Sequence, residues 1–190
     1  DILTNNKHKK ILKAAGAIGK EMNTPVYLVG GYIRDYFLKR ERTDIDIMVE
    51  NNVFEFSKEL ASRLKVNTVI NFEKFYTSRI PYTDCDIEIA NARTESYNSN
   101  SRKPSKVQLT TIENDLKRRD FTMNSIGLSL QPDNFGNLID PYNGLNDINS
   151  GIINTPKDPD VTFIDDPLRM LRAIRFAAQL NFNIPENIKK

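Results

Sequence analysis

One unit constrains the fold more than any other: an apolar segment, a glycine pair and an alternating segment follow one another between residues 25 and 49. PVYLVGG (25–31) has the composition of a buried strand that ends at Gly30 and Gly31, and YIRDYFLK (32–39) has the spacing of a short helix. DIDIMV (44–49) alternates acidic and apolar residues with the two-residue period of a strand. The unit therefore predicts strand, tight turn, helix and strand in that order.

Further elements are predicted on both sides of this unit. Helical spacing covers residues 8–22, 53–64 and 110–120, the last with Thr110 as its cap in a capping box with Glu113. The three strand candidates are VNTVINF (66–72), KFYTSRIPY (74–82) and DCDIEIANA (84–92). TMNSIGLSL (122–130) fits a helix or a strand, and the polar stretch SYNSNSRKPSK (96–106) is predicted to be a mobile loop.

The last predicted helix runs from Asp166 to about Leu180, with an apolar stripe formed by Leu168, Leu171, Ile174 and Ala178. These elements predict an α+β or mixed α/β sheet domain followed by an all-helical element. We expect a first domain over residues 1–157 and the beginning of a helical domain, truncated, over residues 158–190.

The composition excludes several classes of function. The sequence contains no run of about 18 apolar residues and no secretory leader. Cys85 is the only cysteine. We therefore expect a cytoplasmic protein without membrane association. His8 is the only histidine, which nearly excludes histidine metal sites and Ser-His triads. A net charge of +2 is too small to indicate nucleic-acid binding by itself. Chemistry in this chain has to rest on carboxylates, arginines and hydroxyls.

The glycine pair has a functional and a plain interpretation. Gly-Gly between a strand and a helix lets the backbone approach a ligand and directs N–H groups at an anion. Arg34, about one turn later, could add a charge-assisted hydrogen bond to phosphate. The alternative is a tight turn followed by an arginine that faces solvent, and the glycines alone favour that alternative.

The acidic residues of the strand candidates indicate a cation site. Asp44 and Asp46 lie on one face of a strand, where their like charges raise a pKa or require a cation such as Mg²⁺. Asp84, Asp86 and Glu88 share a face of another strand, and any one of them could complete a three-carboxylate cluster if the strands are neighbours. Such a cluster can hold two Mg²⁺ ions for phosphoryl or nucleotidyl transfer. The alternative is solvated strand polarity.

Two further segments carry arginines close to acidic residues. In RRDFTMNS, Arg118 and Arg119 could bind triphosphate and Asp120 could accept a hydrogen bond from a ribose, although a basic helix end followed by a capping Asp is the plain alternative. In DDPLRMLRAIRFAAQL three arginines recur every three residues and cover an arc of roughly 120° beside the apolar stripe. They are Arg169, Arg172 and Arg175.

GGYIRD, DIDIMV, RRDFTMN and DDPLRMLRAIRFA, in this order, resemble the class II tRNA nucleotidyltransferase and bacterial poly(A) polymerase family over roughly residues 25–182. The resemblance implies a head domain of the nucleotidyltransferase fold, with a small mixed sheet flanked by helices, joined to an all-α neck. It also implies a catalytic role for Asp44, Asp46 and Glu88, with Asp44 and Asp46 as ligands of two Mg²⁺ ions. The implied nucleotide-binding residues are Gly30, Gly31, Arg34, Arg119, Asp120, Asn124, Asp166, Arg169, Arg172 and Arg175.

The resemblance implies addition of CMP and AMP to the 3′ end of tRNA, with CTP and ATP as substrates. Cytosine and adenine both present an amino donor beside a ring-nitrogen acceptor, so a carboxylate and a guanidinium, here Asp166 and Arg169, pair with them and reject uracil and guanine. A poly(A) polymerase, an enzyme that adds only CC or only A, and a non-catalytic nucleotide- or RNA-binding module remain alternatives. Because family members grip tRNA with domains beyond the neck, we expect this chain to bind nucleotide well and tRNA poorly.

The chain departs from the family pattern at three positions. Asp165 stands where Glu is frequent, Lys39 where Gly is frequent and Ser125 where Ala is frequent. None of these changes affects the carboxylates predicted to carry the chemistry.

Overall fold

The computed structural model describes residues 6–41, 44–83, 85–98 and 101–189. Within these ranges no helix combines the length and the apolar character that crossing a bilayer requires. The helices are α1 (Asn6–Glu21), α2 (Gly31–Phe37), α3 (Val53–Arg63), α4 (Ile112–Lys117), α5 (Gly144–Ser150), α6 (Pro159–Asp165), α7 (Leu168–Leu180) and α8 (Glu186–Lys189). The strands are β1 (Val26–Val29), β2 (Ile45–Val49), β3 (Ile70–Phe72), β4 (Thr77–Tyr82), β5 (Cys85–Asn91), β6 (Arg93–Asn98), β7 (Ser101–Leu109), β8 (Gly127–Ser129) and β9 (Leu138–Ile139).

Seven of these strands form one mixed sheet in the order β3-β4-β5-β2-β1-β8-β9. The central pair β2 and β5 is parallel, and every other neighbouring pair in the sheet is antiparallel. Strands β6 and β7 pair separately as an antiparallel hairpin. A mixed sheet flanked by helices confirms the predicted α+β class.

The alternation of β2 divides its side chains between two apolar clusters. Ile45, Ile47 and Val49 are buried in the main core, which α1 and α3 cover. Met48 points to the opposite face and belongs to a smaller cluster with Ile112 of α4. Each fully buried aliphatic side chain contributes about 1.5–3 kcal/mol, so a one-residue slip of β2 is costly. This register fixes Asp46 on the Met48 side of the sheet.

Three local predictions need correction. Residues 96–106 are not a loop: they belong to β6 and β7, apart from residues 99 and 100, which lie outside the described residues. Helix α4 begins after Thr111 rather than Thr110, because the carboxylate of Glu50 accepts the Ile112 N–H at 3.1 Å and takes the place of a threonine cap. Residues 122–130 hold a short 3₁₀ helix over Thr122–Asn124 and then strand β8, so both alternatives for this segment are partly right.

The predicted buried stripe of α7 is wrong. Leu168, Leu171 and Ile174 are 42%, 63% and 61% exposed, and the buried side of the helix carries Arg169, Ala173 and Phe176 instead. The helix turns this side inward because the sheet domain offers hydrogen-bond acceptors there: the Arg118 carbonyl accepts from Arg169 at 2.9 Å. The side of α7 that faces the sheet domain therefore carries a hydrogen-bonded arginine as well as apolar residues.

Candidate active site

The glycine turn after β1 brings the backbone against Asp46. Gly30 has φ 75° and ψ −142°, a conformation that glycine alone adopts without strain. A Cβ at Gly30 would lie 3.1 Å from Oδ2 of Asp46 and 3.4 Å from Nη1 of Arg119. Gly31 begins α2, and a Cβ there would lie 3.2 Å from Nη2 of Arg34. Position 30 therefore requires glycine both for the turn and for the approach of these side chains.

Asp46 is a partly buried carboxylate that faces the glycine turn. Burial raises the pKa of Asp46 to about 6. The positive charges of Arg119 and Arg34 act to lower this pKa, whereas the negative charges of Glu88 and Asp44 raise it further. Its ionised form is thus disfavoured at this site. A cation bound here would relieve that penalty.

The register of β2 and β5 selects one of the three acidic candidates on the second strand. Glu88 lies directly opposite Asp46 in the parallel pair, which confirms that the two acidic strands are neighbours. Asp86 forms a salt bridge with Arg79 of β4 instead. Asp84 lies outside the described residues. Glu88 is therefore the third carboxylate that the fold brings next to Asp46.

The donor chemistry of Asp44, Asp46 and Glu88 suits a hard divalent cation, because Mg²⁺ prefers carboxylate oxygens. Within the described ranges, however, no three His, Cys, Asp or Glu side chains are grouped closely enough to hold a metal ion. Asp44 is exposed just before β2, and Glu88 is also exposed. The residues fit a cation in kind, but their side chains do not form a preassembled site.

The buried carboxylate of Asp115 anchors two arginines. Arg118 donates from Nε and Nη2 to Oδ1 of Asp115 at 3.0 and 2.8 Å, and Arg119 donates from Nε to Oδ2 at 3.2 Å. Burial works against ionisation of Asp115, but Arg119, Arg118 and the hydrogen bonds outweigh burial, so its pKa is lowered. An ionised Asp115 therefore holds both guanidinium groups in fixed positions.

A chain of hydrogen bonds connects α2 with α7. Arg34 donates from Nη1 to Oδ1 of Asn124 at 2.8 Å, and Asn124 donates from Nδ2 to Oδ1 of Asp120 at 3.1 Å. Arg172 donates from Nε to Oδ2 of Asp120 at 2.7 Å, and the Phe121 N–H donates to Oδ1 at 2.8 Å. Both oxygens of Asp120 are therefore engaged, and a ribose hydroxyl would have to share them with these donors.

Asp166 and Arg169 stand at the start of α7. Arg169 is only 7% exposed and donates from Nη2 to the Arg118 carbonyl at 2.9 Å and from Nη1 to the Thr162 carbonyl at 3.4 Å. Oδ1 of Asp166 accepts from the N–H of Leu168, the first residue of α7, at 3.1 Å. The acidic and basic members of the predicted base-reading pair thus have fixed backbone partners.

These groups surround one cleft of about 470 Å³. Nine of the residues singled out from the sequence for nucleotide binding, together with Asp46, line it. The nine are Gly30, Gly31, Arg34, Arg119, Asp120, Asn124, Asp166, Arg169 and Arg172. Segments more than 100 residues apart in the chain therefore meet where the sequence motifs predicted a common site.

Three predicted residues lie elsewhere. Asp44 and Arg175 are not among the residues that line the cleft, and Glu88 lines an adjacent cavity of about 220 Å³ that also includes Asp46. The sequence interpretation missed Phe176, whose ring lines the cleft. The spacing of Arg172 and Phe176, four residues apart on one helix face, was a signal that could have indicated this residue.

The sequence profile of the poly(A) polymerase head domain matches residues 26–154, which is more than half of the 190-residue chain. The chain belongs to this family. The matched segment contains the Gly30 turn, both acidic strands and the segment from Arg118 to Asn124. It ends before α6, so the cleft residues of α7 and Asp166 lie outside the matched segment.

Similar proteins match more of the chain than this segment. The chain is 41% identical over 164 residues to the A-adding tRNA nucleotidyltransferase of Aquifex aeolicus, covering 86% of this chain and 19% of that protein. It is 35% identical over 165 residues to the CCA-adding enzyme of Bacillus subtilis, covering 86% and 39%. A solved structure of the Thermotoga maritima CCA-adding enzyme complexed with tRNA matches with a TM-score of 0.84 and 35% identity, over 99% of this chain and 42% of that one. The chain thus spans less than half the length of these relatives.

Proposed function

We propose that the chain is the catalytic part of an enzyme that adds CMP and AMP to the 3′ end of tRNA in the cytoplasm, with CTP and ATP as donors. The observation that carries the proposal is the single cleft in which Asp46, the arginines of the head and the Asp166–Arg169 pair meet. The names of the relatives support tRNA as the acceptor. Residues 1–157 form the head in this proposal, and residues 158–190 form the beginning of the neck.

The arginines of the cleft provide the charge that a triphosphate needs. Arg34, Arg118 and Arg119 all line the cleft, and each already has a carboxylate partner that orients its guanidinium group. An oriented guanidinium can donate two parallel hydrogen bonds to phosphate oxygens. In the transfer step the 3′ oxygen of tRNA forms a bond to the α-phosphorus, and the bond from that phosphorus to the pyrophosphate oxygen breaks. The arginines stabilise the charge that accumulates on the leaving pyrophosphate.

Asp44 and Asp46, with Glu88 beside them, would hold two Mg²⁺ ions, which would lower the pKa of the attacking hydroxyl and neutralise charge on the phosphates. Asp46 itself faces the glycine turn, so its carboxylate lies where the donor phosphates meet the sheet in this proposal. The burial that raises its pKa to about 6 also gives it a reason to bind a cation.

Base choice is assigned to Asp166 and Arg169. A carboxylate acceptor beside a guanidinium donor matches the edge that cytosine and adenine share, and a mismatched edge leaves buried polar groups unpaired at about 1–3 kcal/mol each. Arg169 is held by two backbone carbonyls, so its position does not depend on the ligand. Protein side chains thereby act as the template.

An enzyme that adds only A is a second candidate. The 41% identical relative from Aquifex aeolicus is an A-adding enzyme, whereas the Bacillus subtilis relative at 35% is a CCA-adding enzyme. The groups of the cleft serve both activities, because cytosine and adenine present the same hydrogen-bonding edge.

The decisive experiment is incubation of the full-length protein that contains this chain with tRNA lacking CCA and with labelled CTP or ATP separately, followed by sequencing of the products. Addition of C and then A supports the leading proposal, and incorporation of A alone onto tRNA ending in CC supports the second. A long A tail would contradict both. Asp46→Ala should abolish transfer while the protein stays folded, and retained activity would refute the role of this carboxylate.

A further inference from the structure

Phe176 of α7 is a buried aromatic ring in the wall of the cleft. Its side chain is 6% exposed, and the ring of Phe121 packs against it edge-on at 5.9 Å between centroids. An aromatic ring in a nucleotide cleft invites the interpretation that it stacks on a base. The ring, however, is already surrounded by other side chains of the protein.

Arginine side chains cover the ring instead. The guanidinium carbons of Arg34, Arg172 and Arg175 lie 5.1, 5.3 and 5.1 Å from the ring centroid, all within cation–π range. Arg34 and Arg172 line the cleft, whereas Arg175 does not. One ring therefore contacts a cleft arginine from α2 and another from α7.

The ring completes the set of contacts that fixes these two arginines. Arg34 donates from Nε and Nη2 to the two oxygens of Asp35 at 2.9 Å each, and from Nη1 to Asn124. Arg172 donates to Asp120. The face of the Phe176 ring carries partial negative charge. This charge reduces the repulsion between the guanidinium groups of Arg34 and Arg172, which both lie against the ring. The shared ring thus sets the spacing between two arginines that have separate carboxylate partners.

We propose that Phe176 is a positioning residue for polyphosphate binding: its ring holds Arg34 and Arg172 at the spacing at which both can contact the triphosphate of the donor nucleotide. The inference rests on the proposed function for the identity of that nucleotide. The ring itself contacts neither base nor phosphate.

The test compares the affinity of variants for two probes, ATP and inorganic tripolyphosphate, by titration calorimetry. Phe176→Leu removes the ring and keeps an apolar side chain, and we expect it to weaken both ligands by about ten-fold. Phe176→Tyr keeps the ring and should stay within about two-fold of the wild type. Phe182→Leu is the matched control, because Phe182 packs on the core and does not line the cleft. Its affinities should equal those of the wild type.

Stepwise fluorination of the ring at position 176 provides a second measurement that does not depend on the Leu variant folding. Fluorine withdraws the negative charge of the ring face and hardly changes its shape, so each step should weaken tripolyphosphate further. Unchanged affinity across the fluorinated series, or loss of ATP binding with tripolyphosphate binding retained, overturns the inference. Ring-dependent binding of tripolyphosphate, without nucleotide transfer to tRNA by the full-length protein that contains this chain, would overturn the proposed function alone.

Discussion

Replacing Asp46 by Asn should stabilise the protein at neutral pH. Burial raises the pKa of Asp46 from 3.8 to about 6. A difference of about two pH units corresponds to about 3 kcal/mol between the two protonation states. The side chain keeps some exposure, so solvent screening reduces the expected gain to about 2 kcal/mol. Asn has nearly the same shape and carries no charge, so it avoids the cost of ionising this buried group.

The gain should depend on pH with a defined sign. Because the pKa is higher in the folded protein, the stability that the protonated carboxyl contributes is fully present below about pH 3.8 and is lost as the pH rises through about 6. Urea unfolding followed by circular dichroism, in buffer with a metal chelator, should give Asp46→Asn an advantage of about 2 kcal/mol at pH 7, with a thermal midpoint about 4–8 °C higher. The two proteins should converge near pH 4.

Asp44→Asn is the control, because Asp44 precedes the same strand and is exposed. Its free energy of unfolding should change by no more than about 0.5 kcal/mol. A destabilised Asp46→Asn protein, or an advantage of the same size at every pH, would refute the electrostatic reasoning. Adding Mg²⁺ should narrow the difference, since a cation that binds the folded wild type stabilises it by mass action.

Three further substitutions test other parts of the fold. Gly30→Ala should lower the free energy of unfolding by about 2 kcal/mol, because φ is 75° and the added Cβ meets Asp46, and calorimetry should show weaker ATP binding. Lys39→Gly should raise the free energy of unfolding by about 1 kcal/mol in urea titrations, because Lys39 has φ 54°, which is strained for a residue with a Cβ. A loss of stability would contradict this explanation. Asp115→Asn should cost about 3 kcal/mol at pH 7, because Arg118 and Arg119 both lose their ion pair with this buried carboxylate. The lowered pKa of Asp115 means that this cost is present above about pH 4 and shrinks as the pH falls, which unfolding at several pH values would show.

Local sequence patterns predicted the central elements well. The two-residue alternation of DIDIMV determined which side of β2 carries Asp46, since the buried isoleucines leave the acidic residue one possible face. The departure at Lys39 also has a structural counterpart, because this residue adopts the positive φ for which glycine is suited. The hydroxyl of Ser125, where Ala is frequent, is satisfied by the Phe121 carbonyl at 2.9 Å.

The features that the sequence did not predict depend on contacts between segments that are distant in the chain. The choice of Glu88 over Asp86 follows from the register of β2 with β5 and from the proximity of Arg79 on β4, and neither is encoded within the strand itself. The β6–β7 hairpin escaped prediction for a related reason. Residues 96–106 contain few apolar residues, so they lack the apolar alternation by which strands are recognised, and the pairing of β6 with β7 is not visible within either segment alone.

The buried side of helix α7 is not the apolar stripe that its sequence predicted. Its buried side carries Arg169 and Phe176, and its guanidinium groups bind Asp120 and the backbone carbonyls of Arg118 and Thr162. The contacts that attach the helix are therefore the same contacts that give the cleft its charge. A substitution such as Asp120→Ala removes a cleft carboxylate and at once leaves Arg172 without its ion-pair partner. The effect of Asp120→Ala on nucleotide affinity therefore has to be measured together with its effect on the packing of α7 against the sheet domain, because the same ion pair contributes to both.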